Sequence, residues 1–123
     1  MTLKVDVVEN TSGGPVTLTS QYAAKHWAQW DGVNNIIRDS ENMSSATDQG
    51  TGQYRTNYSS SFSNGNHSFQ YGQGTDSTMT TSGTWAERIN SIASGYVDTR
   101  SARGDGGYRD TRYHNSVAFG DLA

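Results

Sequence analysis

The chain has 123 residues, with 9 basic and 12 acidic side chains for a formal charge of −3, and no cysteine. That length holds one domain, and the acidic balance argues against a nucleic-acid backbone as partner. Without thiols there is neither a disulfide framework nor a thiolate zinc site.

No window approaches the roughly 18 apolar residues of a membrane span, and the N-terminus lacks the apolar core of a secretory signal. Val, Ile, Leu and Phe together number only 17, while seven tyrosines and three tryptophans offer large surfaces for burial. A chain this short of aliphatics buries little by itself, which points to an oligomer as the folded unit.

Taken in chain order, residues 3–8 read as a first strand, Asn10 to Pro15 as a turn, and residues 16–19 as a short second strand. Residues 1–20 form an arm joined to the body near Ser20, and the body runs over residues 21–123. Residues 22–30 permit either a short helix, with Trp27 and Trp30 on one face, or a strand. Alternation sets Tyr22, Ala24, His26, Ala28 and Trp30 against Ala23, Lys25, Trp27 and Gln29, and strand is preferred because Asp31-Gly32 closes the run like a strand turn. Ile37-Arg38-Asp39-Ser40 reads as a charged turn.

Asp48-Gln49-Gly50-Thr51-Gly52 is a hairpin loop between strands over residues 43–47 and 53–59. Tyr54, Thr56 and Tyr58 alternate with polar residues as a half-buried strand requires. Ser63-Asn64-Gly65-Asn66 is a further turn, with Phe69 and Tyr71 on one side of the strand that follows. Residues 75–83 read as a polar loop and residues 84–93 fit helix or strand equally. Residues 96–101 and 116–120 read as late strands. With 30 Ser and Thr and 14 Gly spread along the chain, the whole predicts an all-β fold: a β-sandwich or jelly-roll-like domain with a short N-terminal arm.

Lys4-Val5-Asp6 with Asn10-Thr11-Ser12-Gly13-Gly14 resembles the segment that opens many virion fibre proteins of tailed, especially marine, bacteriophages. The run from Ala24 through Asp31-Gly32, Ile37-Arg38-Asp39-Ser40, Asn42-Met43-Ser44-Ser45 and Asp48-Gln49-Gly50-Thr51-Gly52-Gln53-Tyr54 is similar to the β-domain that follows it in those proteins. The resemblance spans residues 3–72, and residues 117–122 stand where the family's closing strand would fall. It departs from the pattern in the polar run over residues 53–58 and at Glu41.

The resemblance implies a virion location and a homotrimer. Lys4, Val5, Asp6 and Asn10 would dock the arm onto other tail or capsid proteins, and the body would form a short tail fibre or knob facing a host surface glycan or protein. The alternative is a capsid decoration or cement protein. Neither reading calls for a cofactor, a metal, a nucleic acid or membrane insertion.

The densest charge cluster is residues 98–114, where four arginines and three aspartates are interleaved with glycine and tyrosine. Arginine and tyrosine combine contact area with directed hydrogen bonds. Arg100, Arg103, Asp105, Tyr108, Arg109, Arg112 and Tyr113 are therefore the candidate residues of a loop that meets the host or a neighbouring subunit. The competing reading is an exposed loop that pairs with itself.

Arg103-Gly104-Asp105 spells an adhesion tripeptide, but three residues recur by chance and the match is not taken as functional. Asp105-Gly106-Gly107 lacks the ligand spacing of a calcium loop. His26, His67 and His114 are too scattered for a metal motif and are expected at the surface or in hydrogen bonds, although His67 on a trimer axis would gather three nitrogens.

An exposed tryptophan can stack on a sugar, but Trp27, Trp30 and Trp85 are all expected in the core or an interface. Asn10, Asn42, Asn57 and Asn66 begin N-x-[ST] sequons that this composition produces by itself. No hydrolase, zincin or phosphate-loop motif is present. Glu41 with Asp39 or Asp48 is the carboxylate pairing open to a glycosidase, which needs a defined separation across a cleft. The expectation is a protein that is not an enzyme.

Overall fold

The computed structural model describes residues 23–74, 85–103 and 106–123, with the side chains of Trp85 and Arg103 outside the description. The strands read over residues 3–8 and 16–19, the arm and the loop over residues 75–83 lie outside the described residues. Those described form eight strands: β1 His26–Asp31, β2 Ile36–Glu41, β3 Ser45–Gly50, β4 Gln53–Asn57, β5 Ser68–Gly74, β6 Trp85–Ala93, β7 Tyr96–Arg103 and β8 Tyr113–Phe119. They make two four-stranded antiparallel sheets, ordered β2-β1-β8-β5 and β3-β4-β7-β6, packed face to face as a β-sandwich.

Alternation of side chains builds both inner faces. On β1, His26, Ala28 and Trp30 turn inward, and Trp27 and Gln29 turn out. Tyr54 and Thr56 do the same on β4, and His114, Ser116 and Ala118 on β8. Residues 84–93, open between helix and strand, form β6. Its pattern is broken because the register shifts between Ile89 and Ser91, and a bulged strand loses its period of two.

The charged run over residues 37–40 is not a turn. It lies within β2, and the turn falls earlier, at residues 32–35. The Asp31 carboxylate closes that turn by accepting from the backbone N–H of Val33 (3.0 Å) and Asn34 (3.1 Å) and from the side chains of Asn34 (3.1 Å) and Arg38 (3.0 Å). Burial pushes the Asp31 carboxyl up, but these bonds outweigh it and hold the group below the usual carboxylate range. Charges on β2 suit an edge strand, where they discourage pairing with another chain.

Asn42 carries the chain from the first sheet to the second with φ 54°. Its amide donates to the carbonyls of Lys25 (2.9 Å) and Ser60 (3.1 Å), and its Oδ1 accepts from the Ser60 N–H (2.6 Å).

The core is made of rings. Trp30 stacks on His114 at 4.2 Å with Tyr54 edge-on at 4.7 Å. Phe62 stacks on His67 at 4.0 Å, and Tyr58 meets His26 edge-on at 5.1 Å. All three histidines are buried and hydrogen-bonded, the second of the two placements expected of them. Flat rings fill volume that aliphatics would otherwise take, and an imidazole stacks as a ring while its nitrogens bond sideways: His26 Nε2 with Ser116 Oγ at 2.9 Å, His67 Nε2 with the Tyr58 hydroxyl at 2.9 Å. His67 thus faces Phe62 and Tyr58.

Candidate binding surface

The cluster over residues 98–114 does not form one loop. Asp98 to Arg103 belong to β7, Tyr113 and His114 belong to β8, and the chain between crosses from one sheet to the other. On β7, Val97, Thr99 and Ser101 turn inward, so Asp98 and Arg100 turn out. Asp98 is taken up by its neighbours: Arg55 donates through Nε (2.7 Å) and Nη2 (2.9 Å), and Ser91 through Oγ (3.0 Å). The Arg55 guanidinium also lies 3.7 Å from the Tyr96 ring centre. Hydrogen bonds from Arg55 hold the Asp98 carboxyl below its usual range against the upward push of burial.

Arg100 differs from Arg55. Its cross-strand neighbours are Gln53 on β4 and Arg88 on β6, so two arginines stand opposite one another across the strands. Among the described residues neither makes an ion pair; the two that occur are Arg38–Asp31 and Arg55–Asp98. Arg100 Nη1 donates to the Tyr108 hydroxyl at 3.3 Å, and Arg109 Nη1 donates to the Tyr108 carbonyl at 2.9 Å. Like charges placed directly opposite across strands are unfavourable by themselves.

The segment bearing Tyr108 and Arg109 is pinned. Tyr108 bridges to Ala102 and continues the line of β4 beside the end of β7. Ser101 N–H donates to the Gly52 carbonyl (2.8 Å), Arg109 N–H to the Ser101 carbonyl (3.1 Å) and Gly32 N–H to the Thr111 carbonyl (3.0 Å). Asp110 Oδ1 accepts from the Gly52 N–H and the Tyr54 hydroxyl, each at 2.7 Å. Burial and the adjacent Asp110 push the Tyr54 hydroxyl far above its ordinary pKa, so it remains a donor.

Thr111 Oγ1 and His114 Nε2 lie 2.6 Å apart, a spacing that would suit a hydroxyl activated by an imidazole. Both residues are buried, and burial lowers His114 to about 4. Geometry makes this pair a strut beneath the crossing, closed to any substrate.

Of the residues singled out from sequence, Arg100, Tyr108 and Arg109 come together. Arg112 stands on the way to β8, and Tyr113 emerges on the outer face of the other sheet, with the Arg38 guanidinium 4.5 Å from its ring centre. Asp105, the Arg103 side chain and Lys4, Val5, Asp6 and Asn10 lie outside the described residues. Arg88 was not singled out: only the β6–β7 register places it beside Arg100.

Asp39 and Glu41 share β2, whereas Asp48 belongs to β3 at an edge of the opposite sheet. Asp39 binds the adjacent Ser40 N–H at 2.9 Å. No group of three or more metal-ligating side chains occurs among the described residues. Trp30 is buried, and Trp27, 42 % exposed, lies outside the core, which leaves the interface of the two placements expected for it. Comparison with known proteins adds no neighbour: no family model matches the chain, and no curated protein or solved structure matches it.

Proposed function

We propose that this chain is a non-catalytic binding module of a tailed-phage virion, a trimeric short tail fibre or knob that meets the host surface. The virion and the trimer rest on the resemblance of residues 3–72, with residues 1–20 gripping other virion proteins. The observation that carries the binding role is the pair Arg88 and Arg100, opposite one another across β6 and β7 beside Tyr108. Three such faces on one trimer would act at high effective concentration, so weak single contacts suffice. The favoured ligand of this face is an anionic group on the host envelope, because paired guanidiniums gain most from a shared carboxylate or phosphate.

Gold-labelled antibody on intact virions tests the location: label at the tail end supports the reading. Label spread over the head favours the alternative, a capsid decoration protein. Purified trimer should slow phage adsorption, and the double change Arg88→Ala with Arg100→Ala should abolish that effect. Unchanged adsorption at saturating protein would overturn host contact.

A further inference from the structure

The outer face of the β2-β1-β8-β5 sheet, on the other side of the sandwich, carries a second and chemically different surface. Register aligns Trp27 on β1 with Val117 on β8, and Val117 with Gln70 on β5. The next outward row is Gln29, Asn115 and Gly72. Gln29 Nε2 donates to Asn115 Oδ1 at 3.1 Å, so the amides hold each other and leave their remaining donors and acceptors to solvent.

The row ends in a notch. A Cβ built on Gly72 would meet nothing within 4 Å, and a depression of about 360 Å³ opens there, lined by Gln70, Tyr71, Gly72, Asn115, Ser116 and Val117. Further along β8 the Tyr113 ring, 36 % exposed, closes the far end. Tyr113 is four residues from Val117, so the two aromatic groups stand roughly 14 Å apart along the strand direction at about 3.4 Å per residue.

Charge narrows the ligand. The outward side chains of β8 and β5 are uncharged: Tyr113, Asn115, Val117, Ser68 and Gln70. Beyond β1, β2 presents Asp39 and Glu41, and its Arg38 is held by Asp31. These acids lie in register with Gln29 and Trp27; they repel anions, and their carboxylates accept hydrogen bonds from hydroxyls. The Tyr113 ring carries the Arg38 guanidinium, whereas the exposed Trp27 indole is open to a flat apolar surface. Amides that both donate and accept suit a ligand studded with hydroxyls. A sugar unites an apolar C–H face with a rim of hydroxyls, and the exposed indole and the notch at Gly72 are separate places for such units.

We propose that the face formed by Trp27, Gln29, Gln70 and Asn115 binds a neutral oligosaccharide, with the ring of one sugar over Trp27 and another sugar in the notch above Gly72. This site is independent of the arginine face and of the virion reading, since it concerns the purified chain alone.

The test is isothermal titration calorimetry of the full chain against neutral hexasaccharides of glucose, xylose, mannose and N-acetylglucosamine, with hexagalacturonate as the anionic comparison. At least one neutral sugar should bind, and hexagalacturonate should not. Trp27→Ala removes the platform. Gly72→Leu fills the notch without removing a contact, so it keeps the test decisive if Trp27→Ala misfolds. Each should weaken binding at least tenfold, while Thr47→Ala, exposed on β3 of the opposite sheet, leaves it unchanged.

The proposal is overturned if no neutral sugar binds at millimolar concentration, if only the anionic sugar binds, or if Gly72→Leu binds as well as the parent chain. A shift of Trp27→Ala to a smaller species in sedimentation would assign the face to a second copy of the chain instead.

Discussion

Gly52 is the residue on which the arginine face depends most directly. Its φ is +63°, and a Cβ there would lie 2.6 Å from the Ser101 carbonyl oxygen and 2.7 Å from the backbone N and O of Arg109. Those are backbone atoms, held by the Ser101 and Arg109 hydrogen bonds, so they cannot swing aside as a side-chain tip would. The left-handed conformation alone costs an alanine about 1 kcal/mol, and the contacts add to it. Gly52→Ala should therefore lower stability by more than about 2 kcal/mol, read as a fall in the urea midpoint. Tyr54→Phe should cost about 1–3 kcal/mol, because the Asp110 carboxylate loses a donor and the Gly32 carbonyl, 3.0 Å from the hydroxyl, loses its polar neighbour. A Gly52→Ala chain as stable as the parent would mean that the crossing between β7 and β8 is free to shift, and the placing of Tyr108 beside Arg100 would lose its physical basis.

At the scale of elements, the turn between β1 and β2 and the edge strand after it stand or fall with Asp31. One carboxylate satisfies two backbone N–H groups, the Asn34 amide and the Arg38 guanidinium. Asp31→Ala should release β2, and amide hydrogen exchange should accelerate over Ile36–Glu41 while β7, paired on both sides, keeps its protection; equal protection in β2 before and after the change would show that strand pairing alone holds the edge. This edge is also where the sequence was hardest to read. Strict alternation made β1 and β4 legible, down to His26, Ala28 and Trp30 sharing a face. Ile37-Arg38-Asp39-Ser40 looked like a turn because an edge strand with outward charges has the composition of one. β6 stayed undecided because its bulge interrupts the alternation that identifies a strand. The site was legible only in part for a related reason. Period-two patterning tells which way a side chain points, but it does not tell which strands are neighbours. Arg88 could be found only through register, and Tyr113 was grouped with Arg100 although the chain changes sheets between them.

For the molecule as a whole, the shortage of aliphatics is met by rings, and three of those rings are imidazoles. His114 lies between Trp30 and Tyr71, stacked at 4.2 Å and 5.5 Å, and burial lowers it from 6.5 to about 4. Burial also lowers His26, outweighing the bonds from the backbone of Asn42 and Glu41. A histidine whose folded pKa lies below its unfolded value binds more protons when unfolded, so stability rises with pH across that interval and falls on acidification. Its contribution is complete above pH 6.5 and declines as the pH drops toward the folded value. The carboxyls of Asp31 and Asp98, held below their usual range, act in the same direction but lose their contribution only at still lower pH, as they titrate in the folded chain. The interval from pH 7.5 to 5 therefore isolates the histidines, and by linkage His114 alone should remove about 2 kcal/mol across it. Urea unfolding of the full chain at both pH values measures this, with the midpoint expected to fall in acid. His114→Gln should be less stable at pH 7.5, having lost a ring from the stack, yet show a clearly shallower dependence on pH. If parent and variant decline in parallel, His114 is not the titrating group, and the acid sensitivity of this ring-packed core must reside elsewhere.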